Sequence, residues 1–348
     1  MPVQNVVCTS VAMEIKAKDG MGPGHGGVAF ASGGMCGGML AGRRALPFLS
    51  RRTANSRHAW TKRDMPMQTH ILTLSCDDKP GIVAAVTTEL AAIGANIAES
   101  NQFWDRASNR FFLRIAMDAP KSHDREAIER VLRPVSDRFD MRLSVADATR
   151  KPRIIIMVSK FDHAMLHLLY QIRVGWLDAE VVAIVSNHEA SRATAEAAGI
   201  AYHCWPVTKD NKAEQEGKLL KLVHETGADL VVLARYMQVL SDTLAKRLYG
   251  RVINIHHSFL PSFKGARPYH QAHLRGVKLI GATAHFVTPD LDEGPIIEQE
   301  TERVNHAMSA EDFVAVGRDI ESRVLARAVK LHLEHRVMLN GHRTVVFG

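Results

Sequence analysis

Residues 252–262 read VINIHHSFLPS, an apolar run that carries Asn254 and His256 into a turn broken by Pro261. Side chains two apart on a strand point to the same face, so an amide and an imidazole emerge together at one strand end. Upstream, PRIIIMVS (152–159), AEVVAIVSN (179–187), IAYHCWPV (200–207), ADLVVLARY (228–236) and RVINIHH (251–257) are short β-rich runs separated by helical stretches such as AEQEGKLLKLVHETG (213–227). Apolar strands alternating with helices predict a Rossmann-like, doubly wound α/β domain over 152–348, its mostly parallel sheet covered on both faces. Ligands of such sheets bind beyond the carboxyl ends of the strands, at the topological switch point, and Asn254 and His256 occupy a strand end of that kind.

A second polar cluster follows. LIGATAHFVTPDLDEGPIIEQE (279–300) reads as strand, tight loop and strand, with Asp290, Asp292 and Glu293 in the loop. The Gly and Pro after these acids force a sharp return that aims a carboxylate back across the neighbouring strand end. Asn, His and Asp converging on one crevice make an oxyanion donor, an acid/base and a carboxylate that tunes it. No G-x-S-x-G elbow is present and Ser258 has no evident base of its own, so the nucleophile is external: water or a substrate amine. His270 and His273, with His285 nearby, invite a zinc reading, but their spacing matches no catalytic zinc signature.

Ahead of this domain, residues 68–148 follow another pattern. HILTLSC (70–76) alternates as a strand, DDKPG (77–81) breaks it and IVAAVTTELAAIG (82–94) has helical period. ANIAESNQFWD (95–105) and NRFFLRIAM (109–117) are two strands around a short turn, followed by the helix REAIERVLRPVSDRF (125–139) and the strand DMRLSVAD (140–147). The order βαββαβ predicts a ferredoxin-like unit, with Asp78 as N-cap of its first helix and Pro80 in the first turn.

The formal charge of +7 sits almost wholly in residues 1–70, where nine Lys/Arg face three Asp/Glu. The near-neutral remainder argues against a nucleic-acid partner. Residues 20–42 hold ten glycines, and an Arg-rich stretch follows. Gly22, Gly24 and Gly27 satisfy the dinucleotide-binding G-x-G-x-x-G, but without the strand and helix that give the motif meaning. The segment 1–67 reads as a disordered extension, as sequence ahead of a start near Met65 or Met67, or as an organellar transit peptide. Cys8, Cys36, Cys76 and Cys204 are too scattered for a disulfide framework or zinc knuckle and suit a reducing, cytoplasmic setting. No run approaches the roughly 18 to 20 apolar residues of a membrane span.

Residues 254–295, NIHHSFLPSFKGARPYHQAHLRGVKLIGATAHFVTPDLDEGP, resemble the hallmark of the folate-dependent formyltransferase fold. That family includes transferases to glycinamide ribonucleotide or methionyl-tRNA, and deformylases that hydrolyse 10-formyltetrahydrofolate to tetrahydrofolate and formate. The likeness spans most of 152–348. DKPGI (78–82) and GANI (94–97) resemble the ACT domain, a ligand-sensing module, and an ACT-like unit ahead of this fold resembles the deformylase branch. The resemblance implies a catalytic trio of Asn254, His256 and Asp292. It also implies a folate pocket lined by Arg235, Tyr236, Met237 and Gln238 and closed by 287–292, Val287 and Asp290 included. An amino-acid effector would sit near Asp78, Pro80, Gly81 and Asn96. No metal or redox cofactor is implied, and a homo-oligomer is.

The nucleophile is read from the first strand's turn. A nucleotide amine acceptor calls for a Gly-rich phosphate cradle there, whereas SKFDHAML (159–166) has no glycine. Its Lys160, Asp162 and His163 resemble the deformylase version of the loop, which shapes a water site. Water is therefore the expected nucleophile; transfer to glycinamide ribonucleotide and a non-enzymatic amino-acid or folate sensor are the alternatives. Transfer to tRNA would call for a basic C-terminal module, where the sequence instead offers a long helix (309–337) and a short hairpin-like tail.

Overall fold

The computed structural model describes residues 66–260 and 267–348. The Gly-rich leader with its Gly22, Gly24 and Gly27 motif, Cys8, Cys36 and the proposed start at Met65 lie outside the described residues, as does the turn after Leu260. The first described elements are β1 (Met67–Asp77), α1 (Ile82–Ala92), β2 (Asn96–Asp105), β3 (Arg110–Pro120), α2 (Arg125–Phe139) and β4 (Arg142–Asp147). Their sheet has the order β2-β3-β1-β4, and β3 runs antiparallel to both of its neighbours. Helix α2 buries Ile128, Leu132, Val135 and Phe139, a stripe of period near 3.6 that turns one face to the sheet. Each such side chain contributes about 1.5–3 kcal/mol when fully buried. Its N-terminus is closed by Asp124, which accepts the Ala127 N–H.

The start of α1 departs from expectation. Its N-cap is Gly81, at φ 93° and ψ −3°, and no side chain caps it. These angles are those of the third residue of a type II turn, which Pro80-Gly81 favours strongly enough to displace Asp78 from the cap. The Asp78 N–H is held instead by the Asn109 carbonyl.

The second sheet has seven strands, in the order β11-β10-β9-β8-β5-β6-β7. In chain order they alternate with helices: β5 (Arg153–Val158), α3 (His163–Arg173), β6 (Glu180–Ser186), α4 (Arg192–Ala197), β7 (Tyr202–Cys204), α5 (Lys212–Thr226), β8 (Leu230–Leu233), α6 (Asp242–Arg247), β9 (Val252–His256), α7 (Pro268–Leu274), β10 (Leu279–Phe286) and β11 (Ile296–Arg303). The five strands from β7 to β9 are parallel, and β10 and β11 are added antiparallel at one edge. From β5 the chain winds outward through β6 to β7, then crosses to place β8 and β9 on the other side. The switch point therefore lies between the carboxyl ends of β5 and β8.

Helix α8 (Ala310–Leu333) opens with a capping box in which Ser309 and Asp312 satisfy each other's backbone N–H. It packs across the second sheet and leads into the hairpin β12 (Val337–Asn340) and β13 (Arg343–Val346). This hairpin covers the face of the ferredoxin-like sheet that α1 and α2 leave open. On β3 the alternation sends Leu113, Ile115 and Met117 into the domain's own core, while Phe112 packs against Met338, Val345 and Phe347. Arg114, on the same face as Phe112 and only 3% exposed, donates from Nε and Nη2 to the Glu334 carbonyl at the end of α8. Its Nη1 pairs with Glu99 at 2.9 Å, and Glu99 is also gripped by Arg336. Those hydrogen bonds, that from Arg336 foremost, hold the Glu99 carboxyl down at about 2.

Arg114→Ala strips the Glu334 carbonyl of two charged donors and leaves a void at the junction. It should lower the stability of the whole chain by ~2–4 kcal/mol, read as a reduced urea midpoint, while Arg110→Ala at the more exposed Asp77 pair should cost under about 1 kcal/mol.

Candidate active site

At the switch point the loops after β5, β8 and β9 open into one cleft of about 820 Å³, completed by 287–292, α7 and α8. Ser159, buried where β5 ends, ties two of these loops together: its Oγ donates to Asn187 Oδ1 and accepts the Met237 N–H. Arg235, Tyr236, Met237, Gln238, Val287 and Asp290 all line the cleft with Asn254, His256 and Asp292. Phe161, Met237, Val239 and Leu291 leave broad apolar surface open around it.

The trio is assembled by strand register. Strand β10 runs antiparallel to β9 with Asn254 opposite His285 and His256 opposite Thr283. Directly opposed side chains share a face, which brings His285 to the amide. His285 Nδ1 lies 2.9 Å from the Phe286 carbonyl, to which only an N–H can bond. The ring is therefore protonated at Nδ1, and Nε2 accepts from Asn254 Nδ2 at 3.2 Å. Burial lowers the His285 pKa and keeps that tautomer neutral. The Asn254 amide group is thus fixed with its nitrogen toward His285 and one N–H to spare.

His256 is 5% exposed, with Nδ1 3.2 Å from Asp292 Oδ2. Its Nε2 is buried and finds no hydrogen-bond partner among the described residues. Burial alone would raise the Asp292 carboxyl, but the hydrogen bond from His256 and the surrounding imidazoles hold it below the usual carboxylate range. Asp292 reaches this position from the left-handed region, φ 57°, a conformation that Asp tolerates better than most residues. The loop closes because of Gly294: a Cβ there would stand 1.7 Å from the Phe286 carbonyl oxygen. The Phe286 N–H meanwhile binds the Pro295 carbonyl, which pins the return.

Sequence reasoning missed Glu321. It lies on α8, 1% exposed, with Oε2 2.8 Å from His163 Nε2 and Oε1 2.8 Å from the Tyr269 hydroxyl. Arg235 Nε stands 3.3 Å from Oε2, an ion pair without hydrogen-bond alignment. All four residues line the cleft. The signal was present: Phe313, Gly317, Glu321 and Val324 fall on one helical stripe, so a carboxylate interrupts a face that the period marks as buried. From the sequence His285 reads only as a candidate metal ligand, since its place opposite Asn254 is set by strand register.

The chain matches the family model for formyl transferase over residues 152–329 and that for the ACT domain over 68–146. It is 49% identical over 278 residues to formyltetrahydrofolate deformylase of a Corynebacterium species, covering 80% of this chain and 97% of that protein. The Bacillus subtilis deformylase is 48% identical, with 79% of this chain and 93% of the relative covered. The chain belongs to the formyltetrahydrofolate deformylase family. Among solved structures, the deformylase from Burkholderia mallei superposes with a TM-score of 0.78 at 50% identity, covering 81% of this chain and 100% of that one.

Within this deformylase-family chain not every expected residue reaches a site. Of the turn after β5, Phe161 and His163 line the cleft, whereas Lys160 and Asp162 do not. The four effector candidates are not brought together. Asp78, Pro80 and Gly81 follow the end of β1, but Asn96 pairs with Asp118, whose partner on β1 is Thr69 near the opposite end. Helix α1 carries the chain back along the sheet, so β2 starts where β1 started. The three histidines of the zinc reading are also apart in role: His273 Nε2 meets the Met308 carbonyl and His285 serves Asn254. No His/Cys/Asp/Glu group suited to a metal occurs among the described residues.

Gly294→Ala should push the acid loop off the end of β10, lowering turnover at least tenfold and stability by ~1–3 kcal/mol, measurable by steady-state kinetics and urea denaturation. A pH effect follows from two other histidines. Burial, then the Arg235 guanidinium, pushes His257 down to about 4 from 6.5. Burial, then His335, brings His332 to about 4 as well. Above pH 6.5 both rings are neutral in the folded and unfolded chain. Between 6.5 and 4 only the unfolded chain takes up these protons, so stability falls as pH drops through that window, by up to ~3 kcal/mol per ring, with no further loss from them below 4. His332→Leu should flatten the dependence of the urea midpoint between pH 7 and 5.

Proposed function

We propose that the protein hydrolyses 10-formyltetrahydrofolate to tetrahydrofolate and formate, with water attacking the formyl carbon. The observation that carries the mechanism is the buried Nε2 of His256, without a hydrogen-bond partner among the described residues, which shares a cleft wall with the second Asn254 amide N–H while Asp292 holds the opposite ring nitrogen. As the carbon turns tetrahedral, its oxygen gains charge; the Asn254 amide N–H and an N–H at His256 Nε2 donate to it, each worth roughly 3 kcal/mol in comparable sites. Asp292, its carboxyl held below the usual range, holds His256 by Nδ1, orients the water and accepts its proton. The tetrahydrofolate nitrogen then leaves with a proton from the site. The reaction is redox-neutral and these donors supply its electrophilic assistance, so no cofactor is assigned. The exposed apolar groups around the cleft suit the flat ring system of a folate, held by the loops 234–240 and 287–292.

The partners follow from the same reading. The ACT domain suits control by an amino acid, and pairing of such domains suits a homo-oligomer. The near-neutral charge after residue 70 disfavours nucleic acid. Among the described residues no helix is long and apolar enough to cross a membrane, and Cys76 and Cys204 are free thiols that suit a cytoplasmic setting. Transfer to an amine finds no support at the turn after β5, which offers His163 in place of a glycine cradle.

Incubated with 10-formyltetrahydrofolate in buffer alone, the protein should release formate and tetrahydrofolate in equal amounts, with no gain from added glycinamide ribonucleotide. Turnover only with the amine would identify a transferase. Asn254→Ala and Asp292→Asn should each cut turnover at least 100-fold with an unchanged circular dichroism spectrum; normal turnover in both would remove the trio from the mechanism.

A further inference from the structure

Glu321 is an ionised carboxylate buried in the wall of the cleft, and the trio leaves it unexplained. Taking such a group out of water costs several kcal/mol unless its partners compensate. Burial would raise its pKa, yet the His163 hydrogen bond, the Arg235 charge and the Tyr269 hydroxyl hold it below the ordinary range. The core would be served as well by a leucine, which needs no partners.

The surrounding residues make local concessions to reach it. Gly317 lies one turn before Glu321 on α8, and a Cβ there would come within 2.2 Å of the Tyr269 ring. The bare glycine lets that ring lie against the helix and present its hydroxyl to Oε1. Arg235 adopts φ 65°, a left-handed conformation uncommon for a long side chain. His163 occupies the first position of α3 and brings its ring across to a helix 158 residues further along the chain. Segments that are remote in sequence thus converge on one carboxylate in the same cleft as Asn254 and His256.

We infer that Glu321 is a positioning residue for the hydrolytic water, acting through His163; this rests on the hydrolytic reading above. An ionised carboxylate only accepts hydrogen bonds, so His163 Nε2 carries the proton of that contact. With the Nε2 proton committed to the carboxylate, Nδ1 is the ring nitrogen left for the attacking water, and it holds one hydrogen of that water through its lone pair while Asp292 takes the other as the bond to carbon forms. Arg235 and Tyr269 fix the carboxylate, and the carboxylate fixes both the tautomer and the orientation of the imidazole. The protons balance without a further base, since His163 only orients the water.

The test is a double-mutant cycle on formate release from 10-formyltetrahydrofolate. Glu321→Gln keeps the shape and removes the charge; it should lower kcat 30-fold or more with KM within threefold, because water placement matters in the chemical step and not in folate binding. His163→Ala, with folding checked by circular dichroism because it removes a partner of the buried carboxylate, should show the same split and recover at least tenfold with added imidazole. The double variant should be no worse than either single one, since the carboxylate works through the ring. Retention of kcat in Glu321→Gln, a rise in KM alone, multiplied losses in the double variant, or no imidazole rescue would each overturn the assignment. Should Glu321→Gln fold poorly, His163→Ala and its rescue decide the matter alone. A wild-type protein that released no formate would overturn the hydrolytic reading itself and this inference with it, whereas a wild type that hydrolyses beside an unimpaired Glu321→Gln would overturn only the role of Glu321.

Discussion

The antiparallel register of β9 against β10 is the constraint from which the site is built. Asn254 opposite His285 and His256 opposite Thr283 make a two-by-two patch of polar side chains at the end of an otherwise apolar strand pair. His285 then orients the amide. Thr283 accepts the Leu260 N–H and donates to the Ser258 carbonyl, which secures the chain just beyond the histidines. The strand that follows must turn back within a few residues, and that turn delivers Asp292. A shift of one residue would send every one of these side chains to the other face. The five parallel strands supply the floor and the switch point, while the reversed strand β10, between β9 and the edge strand β11, makes the site reactive.

Helix α8 relates the two domains to this patch. Glu321 lies in the cleft and Glu334 caps the end of the same helix, thirteen residues on, at a rise that separates them by about 20 Å. The Glu334 carbonyl is held by Arg114 of the ferredoxin-like sheet. One rigid element therefore has a buried charge in the cleft near one point and a buried charge from the other domain at its end. A rod of this kind transmits displacement only if it has two positions to choose between, so its regulatory meaning depends on what an effector does to the sheet that grips it.

Much of this was legible in the sequence, for identifiable reasons. Period 2 at Asn254 and His256 reads directly as a shared face, and the acids followed by Gly-Pro read directly as a loop that folds back. The βαββαβ order needed only alternation and turn residues. What stayed hidden depended on pairing partners remote in the chain. No local pattern says that His285 stands opposite Asn254, or that Asn96 begins at the end of the sheet far from Asp78. Glu321 is different: the helical period marks its position as buried, but a single acid in a long helix ordinarily faces solvent, and that expectation hides it. The Asp78 cap failed to a local competitor, since Pro80-Gly81 has a stronger preference of its own.

The electrostatic arrangement of the cleft has a logic beyond its individual contacts. Two carboxylates face the cavity from opposite sources, Asp292 from the loop after β10 and Glu321 from α8, and each has its own partners: His256 for one, Arg235 and His163 for the other. Between them stand rings that burial keeps uncharged. His257, its centroid 5.1 Å from that of His256, is pushed down to about 4, and His285 is lowered as well. Were either ring protonated at neutral pH, it would compete with His256 for Asp292. Desolvation, which makes buried charge costly, thus also confines it to the two pairs, and the formyl oxygen meets a localised donor rather than a diffuse field.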